Sequence, residues 1–160
     1  MSIAFTIFGN DMNKSVQFVF LIPATLTNRN VLKQFIIRIF KREKVRLAAL
    51  SIIFCSDSYV LDLNKRFLKH DYYTDILSFT LSAPGEPLEA EIYISIDRVK
   101  ENAVSQGVSF QQELHRVVFH GILHFSGYKD KTEKQIKEIR SIEDKYLRRY
   151  GFRLNPRSPV

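Results

Sequence analysis

The stretch FQQELHRVVFHGILHFSG, residues 110–127, constrains the fold most. Its apolar residues recur at Phe110, Leu114, Val117, Val118, Gly121 or Ile122, and Phe125, which is helical period. It is the most apolar helix the chain predicts, and a face that wide needs another layer to cover it. The remaining pattern supplies that layer. AFTIF (4–8) reads as a first strand, and residues 27–44 as an amphipathic helix with Val31, Leu32, Phe35, Ile36 and Ile39 on one face and a basic end. RLAALSIIFC (46–55) reads as a buried strand, and 56–68 as a second helix capped by Ser56. Residues 69–75 break the periodicity. Strands follow at 76–81 and 91–96, separated by the loop SAPGEP (82–87). A helix over 97–106 has Asp97 as its cap and Gly107 as its stop. The last helix, 132–150, opens at Thr132 and carries Ile136, Ile139, Ile142 and Leu147 on a stripe; 151–160 reads as a frayed tail. The expectation is one α+β domain spanning 1–160, a mixed sheet of about four strands packed with about five helices, with the apolar helix against the sheet.

At 160 residues the chain is long enough to bury a continuous core without disulfides, and its single cysteine, Cys55, lies in an apolar run where it reads as a buried thiol. The first residues lack the charged start and long apolar stretch of a signal peptide, and FVFLIPA (18–24) is too short to span a bilayer, so the expected location is the cytoplasm. A formal charge of +7 and a pI near 9.6 fit a polyanionic partner, nucleic acid first, or a merely solvated basic face.

Within the apolar helix, His120 and His124 stand four residues apart. That places them about 40° apart around the axis and about 6 Å along it, so both imidazoles can reach one cation. A third ligand must come from outside the turn. Gly127 can end the helix and turn the chain, bringing Asp130 within range. These offsets are those of the long zinc-protease motif, H-E-x-x-H-x-x-G-x-x-H, with two changes: Gly121 replaces the glutamate that serves as general base, and Asp130 replaces the third histidine. Proteolysis by that route is therefore disfavoured. Gly121 instead suggests that another backbone passes close to the helix. The spacing fits equally well two satisfied polar groups on a helix edge, with Asp130 holding water or capping the last helix. His115, about 140° from His120 by helical count, reads as a surface or supporting group.

Two segments together resemble one family. HGILHFSGYKD (120–130) resembles the H-G-x-L-H-L-x-G-Y-D-H signature of the YbeY endoribonucleases, and LNKRFLKHDYYTDILSF (63–79) resembles their L-N-x-x-Y-R-x-x-D-x-P-T-D-V-L-S-F; EAEIYIS (89–95) falls where the family has G-D-I-x-I-S. The resemblance implies a single α+β domain with one divalent metal, zinc, at the signature positions His120, His124 and Asp130. It also implies metal-dependent cleavage of single-stranded RNA, 3′-end maturation of small-subunit (16S) rRNA, ribosome quality control, and the small ribosomal subunit as partner. Thr74 and Asp75 match the family. The family arginine falls at Leu68, its proline at Tyr73, and its glycine–aspartate pair at Ala90 and Glu91.

Glu91 and Asp75 are the candidates for a base or for a group orienting a ligand; the alternatives are a strand-edge carboxylate and a turn cap. Candidate RNA contacts are Lys65, Arg66, Lys69 and Lys129 for phosphates and Tyr73 and Tyr128 for stacking on unpaired bases; His70, Tyr72, Lys131 and Lys134 lie alongside. Three readings remain: a metal-dependent endoribonuclease, a ribosome-associated assembly factor whose metal is structural, and a zinc peptidase-like hydrolase.

Overall fold

The computed structural model describes residues 15–154. Strand β1 (Val16–Phe20) leads through helix α1 (Arg29–Arg42) to β2 (Leu47–Cys55). Helix α2 (Asp57–Leu63) follows and runs on into one π-helical turn, Asn64–Leu68. Then come β3 (Ile76–Thr80), β4 (Leu88–Ser95), α3 (Ile96–Gln106), α4 (Phe110–Phe125) and α5 (Glu133–Tyr150). The four strands lie in the order β1-β2-β4-β3, with β1, β2 and β4 parallel and β3 antiparallel to β4. This is the expected α+β architecture with a mixed sheet.

The sheet is covered on both faces, which is why β2 reads as an unbroken apolar run. Leu50, Ile52 and Phe54 of β2 and Ala90, Ile92 and Ile94 of β4 face the larger core, with Leu32, Ile36 and Ile39 of α1 and Leu114, Val118 and Ile122 of α4. The alternate residues Ile53, Cys55, Leu77 and Tyr93 face α2 and close around Val60. Cys55 is fully buried there, and burial pushes its thiol up to about 12. Leu114, Val118, Phe119, Ile122 and Leu123 of α4 are completely buried, each favouring docking by roughly 1.5–3 kcal/mol. Ser109 starts α4 by accepting from the Gln112 N–H at 3.1 Å.

Gly121 is where α4 meets the sheet. A Cβ there would stand 2.8 Å from Ile76 Cδ1 and 3.0 Å from Ile92 Cδ1. The close neighbours are thus isoleucine side chains of β3 and β4, not the expected backbone.

Several boundaries differ from expectation. The strand expected at 4–8 lies outside the described residues, and the first described strand, Val16–Phe20, begins just before the run weighed as a membrane segment. The second expected helix ends in a π turn, and Lys69 closes it at φ 56. The cap of α3 is Ser95, which accepts from the Arg98 N–H at 3.2 Å; Asp97 lies in the first turn. The expected tail starts too early, because Phe152 stacks on Tyr150 with ring centres 5.9 Å apart, while 155–160 lie outside the described residues. His115 is no surface group. It is buried against Tyr150 and Phe152, and its Nδ1 donates to the Gln111 carbonyl at 2.6 Å. Among the described residues no helix is long and apolar enough to cross a membrane.

Candidate metal centre

The last two turns of α4 carry His120 and His124, both partly exposed. His120 Nδ1 lies 2.7 Å from Glu143 Oε1, and His124 Nδ1 lies 2.9 Å from the Tyr128 carbonyl. A carbonyl can only accept, and so can the Glu143 carboxylate, which is ion-paired to Arg116 at 3.2 Å. Each Nδ1 must therefore donate, and in the neutral ring each Nε2 is left with its lone pair. Those two Nε2 atoms face one another at 2.8 Å, and Asp130 Oδ2 stands 3.6 Å from the first and 3.5 Å from the second. Three acceptors converge with no proton assigned between them. Tetrahedral zinc with Zn–N near 2.0–2.1 Å places neighbouring ligand atoms about 3.3 Å apart, so the donor set and its spacing fit a divalent cation. His120, His124 and Asp130 are the one such His/Cys/Asp/Glu triad among the described residues.

Local structure brings Asp130 into place. Gly127 adopts φ 95 and turns the chain back after α4, a conformation that costs a glycine little. The Gln135 side chain then accepts from Lys131 N–H at 3.0 Å and Thr132 N–H at 3.2 Å, fixing the backbone directly after Asp130. Thr132 and Gln135 form a capping box at the start of α5. The Tyr128 hydroxyl donates to Glu43 at 3.1 Å, so this tyrosine anchors the loop from both its ring and its carbonyl.

Behind the histidines lies a buried polar layer that the sequence did not single out. Glu143 is 4% exposed. Arg116 reaches Glu143 at 3.2 Å, Asp144 at 2.8 Å and Glu113 at 3.9 Å, so one guanidinium is ringed by three carboxylates. Burial alone would hold the His120 ring below its ordinary range; the hydrogen bond and charge of Glu143, with Asp130 and Asp75, outweigh it and raise the ring overall. The signal in the sequence was a glutamate inside the buried stripe of α5, between Ile139 and Tyr146–Leu147. A carboxylate at an interior helical position requires a partner.

The candidate residues divide by location. Asp75 does join the site: it lines a cavity of about 360 Å3 together with His120, Asp130 and Glu143. Its Oδ2 accepts from Asn102 Nδ2 at 3.2 Å, and burial raises its carboxyl above the usual range. Glu91 is not brought to the histidines. It alternates with Ile92, the residue that touches α4 at Gly121, so it points to the α2 side, where the Tyr93 hydroxyl donates to it at 2.7 Å. Lys65 and Arg66 are exposed on the π turn and pair with Asp71 at 2.8 Å and Asp62 at 3.1 Å. Lys69 is exposed beside them; Tyr73 is exposed with the Arg98 guanidinium 4.6 Å from its ring centre. Lys129 is exposed next to Asp130, and Leu68, where the family has arginine, is exposed and uncharged.

Comparison with known proteins bears on the family and the fold. Residues 21–151 match the family model described as endoribonuclease YbeY. A Cytophaga hutchinsonii protein named endoribonuclease YbeY is 48% identical over 122 residues, covering 76% of this chain and 85% of that one. One of the same name from Amoebophilus asiaticus is 38% identical over 130 residues, covering 81% and 88%. The solution structure of a Thermotoga maritima protein superposes with a TM-score of 0.55 at 27% identity, covering 84% of this chain and 88% of that one. The chain belongs to the endoribonuclease YbeY family.

Proposed function

We propose that this protein is a metal-dependent, single-strand-specific endoribonuclease that matures the 3′ end of small-subunit (16S) rRNA in the cytoplasm and serves ribosome quality control. Its cofactor in this reading is one zinc ion held by His120, His124 and Asp130. The observation that carries the proposal is the convergence of two histidine lone pairs and one carboxylate oxygen, 2.8–3.6 Å apart, beside an open cavity. Family membership supports the RNA-cleaving chemistry, and the charge of +7 suits a polyanionic substrate.

When bound, the ion supplies Lewis-acid polarisation of a phosphate oxygen. The chain supplies the rest. Glu143 and the Tyr128 carbonyl hold the protons on the two Nδ1 atoms, which keeps both Nε2 atoms free to act as ligands. Asp75 lies in the same cavity as His120, and its raised pKa makes its carboxylate a better base for the 2′-hydroxyl of RNA. A peptidase-type glutamate at position 121 would have to displace the ends of Ile76 and Ile92, since even a Cβ meets their Cδ1 atoms at 2.8 and 3.0 Å.

One observation favours the second reading, an assembly factor with a structural metal: Leu68 puts no charge where the family has arginine. Incubating the protein with single-stranded RNA and with small subunits, before and after chelation, separates the two. We expect cleavage that chelator abolishes and zinc restores. Absent or chelator-insensitive cleavage with intact subunit binding would contradict the nuclease reading.

A further inference from the structure

The two histidines border different cavities. His120 lines the one of about 360 Å3 among α3, α4 and α5, together with Arg140. His124 lines a second of about 420 Å3, formed by the 82–87 loop, Leu88 at the start of β4 and the residues after α1, together with Lys44. The edge strand β3 connects them: Asp75, just before it, lines the first cavity and Thr80, its last residue, lines the second. The two cavities share no lining residue, and the facing His120 and His124 rings stand between them, one bordering each.

The cations in these cavities are not equivalent. Arg116 is consumed by Glu113, Glu143 and Asp144. Arg46 donates to the Gly85 carbonyl at 2.6 Å and so holds the 82–87 loop. Arg140 and Lys44 are exposed and make no ion pair with any described residue. Lys44 is nevertheless fixed in place, because its own N–H bonds to the Lys41 carbonyl at 3.2 Å and the next N–H to the Phe40 carbonyl at 2.9 Å. An unpaired cation in each cavity, with the candidate cation site of His120, His124 and Asp130 between them, is complementary to a single polyphosphate strand once that site is loaded. Lys65 and Arg66 are already paired to aspartates and are less suited to that task.

We propose that a single RNA strand lies along β3 and across the histidine pair, with Lys44 and Arg140 each holding a phosphate on either side of the bond that is cut. This strand path rests on the endoribonuclease reading, and it supplies the positive charge that Leu68 lacks. It makes Arg140 and Lys44 substrate-positioning residues.

The test uses a single-stranded DNA octamer, which has no 2′-hydroxyl and is not consumed. Its affinity is measured against salt for wild type, Lys44→Ala, Arg140→Ala, the double variant and a charge-matched control, Lys100→Ala. Removing either cation should lower the log–log salt slope by about 0.7, and removing both should lower it by about 1.4. Arg140→Lys and Lys44→Arg should keep the wild-type slope, and Lys100→Ala should not change it. Both residues are exposed, so unchanged melting checks that the variants fold. An unchanged slope in either alanine variant, or an equal drop in Lys100→Ala, overturns the strand path. If wild type binds as expected but cuts no RNA, the nuclease reading fails while the slopes still decide the path.

Discussion

His120 Nδ1 and Glu143 Oε1 lie 2.7 Å apart, joining the C-terminal part of α4 to the middle of α5. This bond fixes the ring orientation and assigns its proton. Glu143→Gln keeps the shape but removes the charge, and zinc affinity should fall by about 10–100-fold. Competition titration against a chromogenic chelator measures this. Glu143→Ala should also lower stability, though by less than the ~3–5 kcal/mol of a buried charge left unpaired, because Asp144 at 2.8 Å and Glu113 at 3.9 Å still face Arg116.

Asp130 is the exposed member of the triad, with its oxygen 3.5–3.6 Å from both histidine nitrogens. Asp130→Ala should weaken metal binding while leaving the melting temperature of the metal-free protein within a few degrees. Asp130→His should hold the metal at least as well as wild type, since imidazole nitrogen is a good zinc ligand. Equal metal content in Asp130→Ala and wild type would remove Asp130 from the ligand set.

Gly121→Ala sets two effects against each other. Alanine gains about 1 kcal/mol of helix propensity, but its Cβ would meet Ile76 Cδ1 at 2.8 Å. Overpacking of that kind costs about 1–3 kcal/mol, so urea denaturation should show a net loss. Because the clash is with the far end of a side chain, Ile76→Val should recover part of the loss in the double variant.

His115 makes stability depend on pH. Burial holds its ring below the ordinary value of 6.5, and its Nε2 is buried without a hydrogen-bond partner among the described residues. As pH falls below about 6.5 the unfolded chain takes up the proton before the folded one does. Stability is therefore full above that pH and declines as pH falls toward the depressed folded-state value. His115→Phe removes this contribution. Thermal melts from pH 8 to pH 5 should show a smaller acid loss in the variant than in wild type.

The elements that were legible in the sequence are those whose pattern is set locally. The period of 110–127 gave α4 with its buried face, and the apolar run of β2 gave a strand covered on both sides. The juxtaposition of His120, His124 and Asp130 was legible because all three lie within one helix end and the turn that Gly127 makes after it. Long-range partners were not visible. Glu143 is 23 residues from His120, and only the α4–α5 packing brings them together. The placement of Glu91 failed for a related reason. Alternation along β4 puts successive residues on opposite faces, but which face meets α4 is decided by Ile92 against Gly121. His115 was misplaced by counting angle around the helix without knowing that Tyr150 and Phe152 close over it.

The most direct measurement is a zinc titration of the metal-free protein by calorimetry, for wild type and His120→Ala. One equivalent should bind to wild type with release of heat, and none at comparable affinity to the variant. Failure of wild type to bind, or equal binding by both, would contradict the metal centre on which this account rests.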